Sequence, residues 1–332
     1  MKPSTSTRLW RQNLKGRFIM NRRELIQKSA IFGLVAGAAP ITGCNKAEAQ
    51  LTAARSSVKA PLPLALPAGG VLPVAFVLGK DAVVLDFAGP LEVFAEAHTK
   101  DGNMPFAPYM VAASKAPITV GGGLKILPDH DFKSAPQPKL IVIPAMNFSD
   151  KDTEMIDWIR TASKGADVTM SVCMGASILA KTGLLDGKSA TCHHGGYFEF
   201  ADTYPKVHLK RGARFVEEGD LATAGGISSG IDLALRVVER YVGREQTLQV
   251  VDEMEYQGKG WLNPESNEAY AKMPAPNDAH PICTVCLMGT DRSISTNYKG
   301  KTLYFCSKDC KETFDKHTDV YDRFLAEDAR GV

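Results

Sequence analysis

The sequence predicts an α/β protein with a doubly wound, mostly parallel sheet and a second, small Cys-rich α+β module. Three observations carry this prediction. Apolar runs of strand length alternate with helical patterns between residues 71 and 258, which is typical of βαβ units with helices on both sheet faces. One run, Val168 to Val172, leads directly into Cys173 and a helix. Four of the seven cysteines lie after residue 280.

The elements of the large domain follow from apolar spacing and from turn residues. Residues 140–143 form a continuous apolar run that ends at Pro144, as expected for a buried parallel strand. Pro90 lies near the start of a helical pattern, which suits the first turn of a helix. Further strands are predicted at 71–78, 109–113, 168–172 and 221–223, and further helices at 151–163, 173–181, 226–242 and 244–256.

The first 44 residues form a targeting segment in this interpretation. Arg22 and Arg23 precede an apolar run from Ala30 to Ile41, which is shorter than the ~20 residues of a membrane span and resembles a Tat export signal. The run ends at Cys44 in a sequence that resembles a bacterial lipobox. We expect export through Tat and a lipid anchor on Cys44 in the periplasm or cell envelope. Met20 is a second candidate start, and a basic leader without these functions is the alternative.

The remaining chain divides into four parts. Residues 45–70 are rich in Ala, Pro and Ser and predict a flexible tether. Residues 71–258 form the α/β domain, 259–279 a linker without periodicity, and 280–325 the Cys-rich module. The chain has 39 Lys and Arg residues and 37 Asp and Glu residues, and its first 44 residues hold eight basic residues and one acidic residue. The remaining chain therefore has 31 basic and 36 acidic residues, a net charge of −5. This charge gives no support for nucleic-acid binding.

Cys173 is the candidate nucleophile of the large domain. In open α/β sheets, ligands bind beyond the carboxyl ends of the strands, and a strand-to-helix turn there exposes its middle side chain. Gly175 permits a tight turn. The positive end of the following helix is expected to lower the pKa of the thiol and favour the thiolate, and the amides after it can hold a developing anion. The alternative is that Cys173 is a small buried apolar residue.

Five motifs lie in order along the large domain: Val83 to Phe94, Ser171 to Gly175, Gly183 to Lys188, Ala190 to His193 and Ala224 to Leu235. Together they resemble the ThiJ/PfpI family, a group of class I glutamine amidotransferase-like proteins, over roughly 185 residues. The resemblance is closest to the isonitrile hydratase branch and to the N-terminal domains of AraC-type regulators. It implies a flavodoxin-like fold, an active-site cysteine at Cys173, no cofactor at that cysteine, a small-molecule substrate and a homodimer.

The resemblance places Asp86 on the loop that faces Cys173. A carboxyl group beside a thiolate stays partly neutral, because two adjacent negative charges are costly, so it can act as general acid and later activate water. The alternative role of Asp86 is a helix N-cap, and Glu92 is a weaker rival for the acidic role. Many relatives carry a histidine near the position of His193, which is the third candidate catalytic residue; a structural role is the alternative.

Three further residues are predicted to contact the substrate or its oxyanion. Met174 follows the candidate nucleophile at a position where isonitrile hydratases typically have Thr, and it lacks the hydroxyl group that could bond the thiolate or the substrate. Gly122 and Gly123 lie in a glycine run that can bring amide groups close to a ligand, with a plain loop as the alternative. Cys192 is expected to be a buried core residue, with a disulfide to Cys173 as the alternative.

The four C-terminal cysteines predict a metal site. Cys283 and Cys286 are separated by two residues, and Cys306 and Cys310 by three, a spacing that suits one tetrahedral site. The stretches 280–283 and 298–307, with Cys310, Lys311 and Phe314, resemble a YHS/TRASH domain, which implies heavy-metal handling. Soft thiolates favour Zn²⁺ or Cu⁺, and metal ligation would stabilise a module with so small a core. Two disulfides are the alternative.

Two functions from different classes remain open at this point. The first is an exported Cys-dependent hydratase or lyase that acts on a small electrophile such as an isonitrile. The second is a non-catalytic copper- or zinc-binding, or stress-sensing, lipoprotein. His280 and His317 are additional candidate metal ligands in either case.

Overall fold

The computed structural model describes residues 62–67 and 70–330, all within the compact unit Arg55–Val332. The predicted targeting segment, Cys44 and most of the tether lie outside the described residues. No helix among the described residues has both the length and the apolar character needed to cross a membrane.

The large domain contains a seven-stranded sheet. Its order is β10-β11-β7-β6-β1-β2-β5, with β10 antiparallel to β11 and every other pair parallel. The strands are β1 (Leu72–Val77), β2 (Phe106–Ala112), β3 (Ile118–Thr119), β4 (Lys125–Ile126), β5 (His130–Asp131), β6 (Leu140–Ile143), β7 (Val168–Val172), β8 (Ser189–Ala190), β9 (His208–Leu209), β10 (Phe215–Glu218) and β11 (Leu221–Ala224).

Helices cover both faces of this sheet, and each face has its own apolar core. The helices are α1 (Val84–Glu96), α2 (Thr153–Ala162), α3 (Gly175–Lys181), α4 (Tyr197–Thr203), α5 (Ser229–Val242) and α6 (Arg244–Glu253). One core lies beneath α1, α5 and α6 and includes Phe76 and Phe94, whereas the other lies beneath α2, α3 and α4 and includes Ile141 and Phe198. The doubly wound, mostly parallel sheet predicted from the sequence is therefore confirmed.

Helix α1 begins earlier than its proline suggests. Pro90 lies inside the helix, six residues after its first residue Val84. A proline in this position cannot donate to the carbonyl four residues before it, which here is the carbonyl of Asp86. The backbone around Asp86 therefore lacks one regular helical hydrogen bond.

The predicted linker, residues 259–279, lies against the large domain. Trp261 is only 2% exposed, and its amide donates to Oδ1 of Asp232 at 2.8 Å. The amide of Arg214 donates to the carbonyl of Pro264 at 2.5 Å. These contacts, which the lack of periodicity could not reveal, fix the segment on the domain surface.

The C-terminal module is a hairpin followed by two helices. It contains β12 (Ser295–Tyr298), β13 (Lys301–Tyr304), α7 (Lys308–Lys316) and α8 (Thr318–Arg330), so it extends beyond the predicted end at residue 325. Its buried residues Phe305, Phe314 and Phe324 belong to the same core cluster as Phe198 of α4. The module therefore shares one apolar core with the α/β domain.

Candidate functional site

Cys173 lies in a sharp turn between β7 and α3. Its φ angle is 59°, a left-handed conformation that costs non-glycine residues energy and is enriched at functional sites. Its amide donates to the carbonyl oxygens of Ala224 and Gly225 at 3.1 and 3.0 Å. The turn thus ties the cysteine to the end of the neighbouring strand β11.

Gly175 is required by close approach rather than by a positive φ angle. A Cβ atom at this position would lie 2.1 Å from the carbonyl oxygen of Ile143, the last residue of β6. Glycine therefore lets α3 begin directly against the end of the neighbouring strand. The sequence analysis assigned Gly175 to a tight turn, whereas the structure shows that glycine is needed here for close packing.

Asp86 lies in the first turn of α1 and is fully buried. Its Oδ2 accepts a hydrogen bond from the amide of Ala145, just beyond β6, at 3.0 Å. Its Oδ1 has no hydrogen-bond partner among the described residues. Val83 is the N-cap residue of the helix, so the alternative role of Asp86 as a cap is excluded. Burial raises the pKa of Asp86 to about 7, although the Ala145 amide opposes this shift.

The ionisation of Cys173 differs from the prediction. The residue is 6% exposed, and burial followed by the charge of Asp86 raises the pKa of its thiol to about 12. The amides of Met174 and Ile227 donate to the sulfur and oppose this shift. The predicted lowering by the helix end is therefore wrong, because desolvation and a neighbouring carboxyl group outweigh a short helix and two donors.

His193 and Met174 lie beside this turn. Nδ1 of His193 accepts a hydrogen bond from the amide of Gly195 at 3.1 Å, and burial lowers the pKa of its imidazole. His193 is also close to Gly226, since a Cβ atom there would lie 3.3 Å from Cδ2 of the histidine. Met174 is half-buried, and its sulfur packs against Gly196.

The other predicted residues fall into different surroundings. Gly122 and Gly123 lie in an exposed turn with positive φ angles, and the amide of Gly123 donates to the carbonyl of Val120, so it is not free to bind an anion. Glu92 is exposed on α1. Cys192 is fully buried, and both Cys192 and Cys173 are free thiols, which agrees with a core role for Cys192 and not with a disulfide.

An open pocket of about 370 Å³ lies next to the Cys173 turn, although neither Cys173 nor Asp86 lines it. Ile227, whose amide faces the Cys173 sulfur, forms part of its wall. The rings of His193, His194 and Tyr270 form a ladder with centroid separations of 4.3 and 4.5 Å. The pocket is lined by Leu85, His193, His194, Tyr197, Arg214, Gly226, Ile227, Ser228, Asn267 and Tyr270.

The sequence analysis did not predict that residues 259–279, assigned there to a linker, form one wall of this pocket. Asn267 and Tyr270 come from residues 259–279, which carry no motif and no periodicity. Arg214 was also missed; its guanidinium group is paired with the fully buried Asp232 at 2.5 Å and contacts Asn267 at 3.2 Å. The residue types of Asn267 and Tyr270 did not indicate a role in the pocket, because only the fold brings this segment to it.

The four C-terminal cysteines come together as predicted. Their sulfur atoms all lie within 4.8 Å of one another, with 3.4 Å between Cys286 and Cys306 and 3.6 Å between Cys306 and Cys310. A tetrahedral site with Zn–S bonds of ~2.3 Å requires sulfur separations of ~3.8 Å. The donor set and its spacing therefore fit a thiolate-bound metal ion. All four are free thiols, so the disulfide alternative is not what the structure contains.

Local backbone features hold these sulfurs in place. Cys283 pairs with Tyr304 across an isolated bridge, which joins the first cysteine pair to the strand before the second. Ser307 caps α7 by accepting a hydrogen bond from the amide of Cys310 at 3.1 Å. Although burial opposes it, the amides of Cys286, Cys306 and Val285 lower the pKa of Cys283.

The two additional histidines are not part of the cluster. His280 is exposed, and Nδ1 of His317 lies 2.7 Å from Oδ1 of Asp202 in α4. His317 therefore joins the module to the α/β domain instead of binding the same ion.

Comparison with known proteins identifies the large domain. A family model described as the DJ-1/PfpI family matches residues 73–240, about half of the chain. The chain belongs to the DJ-1/PfpI family. The matched region contains the Cys173 turn and Asp86, whereas the four-cysteine cluster lies after it.

Relatives in the family have different functions. The isonitrile hydratase of Pseudomonas putida is 31% identical over 189 residues, 56% of this chain and 78% of that protein. The HTH-type transcriptional regulator CdhR of Pseudomonas aeruginosa is 22% identical over 180 residues, 54% of this chain and 53% of the regulator. Membership of the DJ-1/PfpI family alone therefore does not separate enzymes from regulators.

Solved structures agree on the fold. A ThiJ/PfpI family protein from Pseudomonas syringae superposes with a TM-score of 0.51 and 24% identity over 67% of this chain and 83% of that one. An AraC family transcriptional regulator from Pseudomonas putida gives a TM-score of 0.50 and 18% identity, over 55% of this chain and 99% of that one. Both similarities support the flavodoxin-like architecture of the large domain.

Proposed function

We propose that the chain is a cysteine-dependent hydratase that converts a small isonitrile into an N-substituted formamide. The observation that carries the proposal is the strained Cys173 turn beside the buried Asp86, whose Oδ1 has no partner among the described residues. The similarity to an isonitrile hydratase over 78% of that protein supports the choice of substrate.

The narrow access to Cys173 supports a slender electrophile. Cys173 is 6% exposed and does not line the open pocket, which reaches its sulfur only through the wall residue Ile227. The carbon of an isonitrile is terminal and carries no substituent, so it can reach the sulfur while the rest of the substrate stays in the pocket. A branched carbonyl carbon would need a wider opening.

The raised pKa of Asp86 suits a proton shuttle. With a pKa of about 7, the carboxyl group exists in both protonation states near neutral pH, which is the requirement for general acid–base catalysis. As the S–C bond forms, the carboxylate accepts the thiol proton and returns it to the substrate carbon. The first step therefore gives a thioimidate, Cys173–S–CH=N–R.

Water completes the reaction without any oxidant or cofactor. Asp86 takes a proton from water as the hydroxyl group attacks the thioimidate carbon, and the nitrogen gains a proton. The C–S bond of the resulting tetrahedral intermediate then breaks, the thiol regains its proton, and R–NH–CHO leaves. The balance is one isonitrile plus one water to one formamide.

Turnover in isotopically labelled water tests this proposal. The full chain is incubated with alkyl and aryl isonitriles in H₂¹⁸O, and mass spectrometry follows the formamide and any adduct on Cys173. We expect ¹⁸O in the formyl group and loss of at least about 10³-fold in turnover for Cys173→Ser. Cys192→Ala is the matched control and keeps its activity. Full turnover in Cys173→Ser would overturn the proposal.

A second candidate function is metal binding without catalysis. It is favoured by the raised pKa of Cys173, which disfavours the thiolate, and by the four converging sulfurs. The cluster would hold Zn²⁺ or Cu⁺ through Cys283, Cys286, Cys306 and Cys310. Tight metal binding by a chain that turns over no isonitrile would favour this candidate.

The cellular location is a separate proposal that depends on the leader sequence alone. We propose export through Tat and lipid attachment at Cys44, on the basis of Arg22-Arg23 and the residues before Cys44. Labelling of cells with a fatty-acid analogue should mark the wild-type chain and leave Cys44→Ala unlabelled. Equal labelling of both chains would refute lipidation at this residue.

A further inference from the structure

The loop between Cys192 and α4 touches the four-cysteine cluster. A Cβ atom at Gly195 would lie 2.9 Å from the carbonyl oxygen of Cys286 and 3.2 Å from Nδ1 of His193. A distance below 3.0 Å to a backbone atom leaves no room for a side chain. Gly195 also donates its amide hydrogen to Nδ1 of His193. One glycine thus contacts both the backbone of a candidate metal ligand and the imidazole that lines the active-site pocket.

The same loop also contacts Met174, the residue after Cys173. A Cβ atom at Gly196 would lie 2.2 Å from Sδ of Met174. Met174 follows Cys173 directly, and its amide faces the Cys173 sulfur. Residues 193–196 therefore contact Cys286 of the cluster through Gly195 and Met174, the residue after Cys173, through Gly196.

The helix after the loop is held by the same module. His317 contacts Asp202 of α4 at 2.7 Å, and Arg323 donates to the carbonyl of Ala201 at 3.4 Å. The rings of Phe198 and Phe324 meet edge to face at 6.5 Å. The module therefore contacts α4 directly, in addition to its contact with the loop before this helix.

The turn that carries Cys286 is closed by backbone hydrogen bonds between its two ends. The amide of Cys283 donates to the carbonyl of Met288, and the amide of Leu287 donates back to Cys283. Leu287 has a φ angle of 60°, which is strained for a branched residue. A metal ion bound by Cys283 and Cys286 would stabilise this turn and so fix the carbonyl that rests on Gly195.

We propose that metal binding at the four cysteines positions residues 193–196 and thereby controls access to Cys173, with Gly195 as the positioning residue. The inference depends on the proposed function only in taking the Cys173 pocket as the reactive site. Two sites in contact through one packed loop can be coupled without any residue shared between them.

Residue-resolved alkylation tests the coupling without measuring turnover. The full chain, loaded with Zn²⁺ or treated with a chelator, is exposed to iodoacetamide, and the modification of each cysteine is followed by mass spectrometry. Binding at one of two coupled sites commonly changes the affinity of the other by at least about fivefold. We therefore expect metal removal to raise the alkylation rate of Cys173 by about that factor. Modification of Cys306 reports metal loss, and fully buried Cys192 reports global unfolding.

Two glycine variants make the test specific. Gly195→Ala should bind one Zn²⁺ per chain but show rapid Cys173 alkylation with and without metal. Gly289→Ala is the matched control, because a Cβ atom there meets no atom within 4 Å, and it should behave as the wild type. Cys306→Ser, which removes one exposed ligand, should resemble the chelated protein.

Several outcomes would overturn the inference. These are a Cys173 rate that stays within about twofold of its metal-loaded value, alkylation of Cys192 in parallel with Cys173, or no Zn²⁺ binding by the wild type. An absence of isonitrile turnover would refute the proposed function but leave this coupling intact, because alkylation needs no substrate.

Discussion

The amide of Ala145 donates to Oδ2 of Asp86 at 3.0 Å, while Oδ1 of the same carboxyl group is buried without a partner among the described residues. One oxygen is therefore fixed by the loop after β6, and the other can exchange a proton. Because both oxygens are withdrawn from water, the charged form of Asp86 is costly.

The first prediction concerns the pH dependence of stability. The pKa of Asp86 is about 7 in the folded protein against its ordinary value of 3.8, so the folded state binds more protons between these values. The free energy of unfolding of the protein should therefore fall as pH rises from about 4 to about 7. Asp86 alone should contribute a decrease on the order of 4 kcal/mol. Asp86→Asn should remove this decrease in denaturant titrations. An identical pH dependence in both proteins would contradict it.

The second prediction separates the reactivity of Cys173 from catalysis. The charge of Asp86 contributes to the raised pKa of the thiol, so Asp86→Asn should lower that pKa and speed alkylation of Cys173 at pH 8. The same variant should lose about 10²- to 10⁴-fold in isonitrile turnover, because the proton shuttle is gone. Iodoacetamide kinetics and formamide production measure the two effects. Slower alkylation would show that the carboxylate does not act on the sulfur.

A third prediction concerns substrate selection by Tyr270. This ring stacks on His194 at 4.5 Å in the pocket wall, and it lies outside the region matched by the family model. Tyr270→Ala should raise KM for aryl isonitriles by about tenfold with little change in kcat. Tyr270→Phe keeps the ring and should keep KM. Equal losses for aryl and small alkyl substrates would argue against a role in selection.

A fourth prediction concerns the close approach at Gly175. Adding one methyl group would force a Cβ atom against the carbonyl of Ile143, at 2.1 Å in the present backbone. Gly175→Ala should cost about 3 kcal/mol or more of unfolding free energy through overpacking. Thermal unfolding checks this, with Gly289→Ala as the control that has open space. A stability loss below about 1 kcal/mol would mean that α3 can shift freely.

The fifth prediction concerns the metal content of the module. Elemental analysis of the purified chain should find one thiolate-bound metal ion per chain. Removing it with a chelator should lower Tm, since ligation contributes directly to the folding of a small thiolate site. Cys306→Ser should bind more weakly, whereas Cys192→Ala should keep full occupancy. Unchanged metal content in Cys306→Ser would exclude this residue as a ligand.

The sequence by itself determined the regular parts of the protein. The runs at 140–143 and 168–172 match β6 and β7 to the residue, because side-chain burial in a parallel strand leaves a continuous apolar pattern. The Cys173 turn and the two cysteine pairs could also be recognised from the sequence. Their chemistry depends on residue type and short spacing, which the linear sequence preserves.

Only the tertiary structure decided what those residues experience. The pKa of Cys173 is raised and not lowered, because burial and Asp86 act through space and leave no mark on the local sequence. Tyr270 joins the pocket from a segment without periodicity, and Gly195 meets Cys286 across 91 positions of the chain. Desolvation and close packing depend on which distant segments meet, and spacing along one segment cannot encode that.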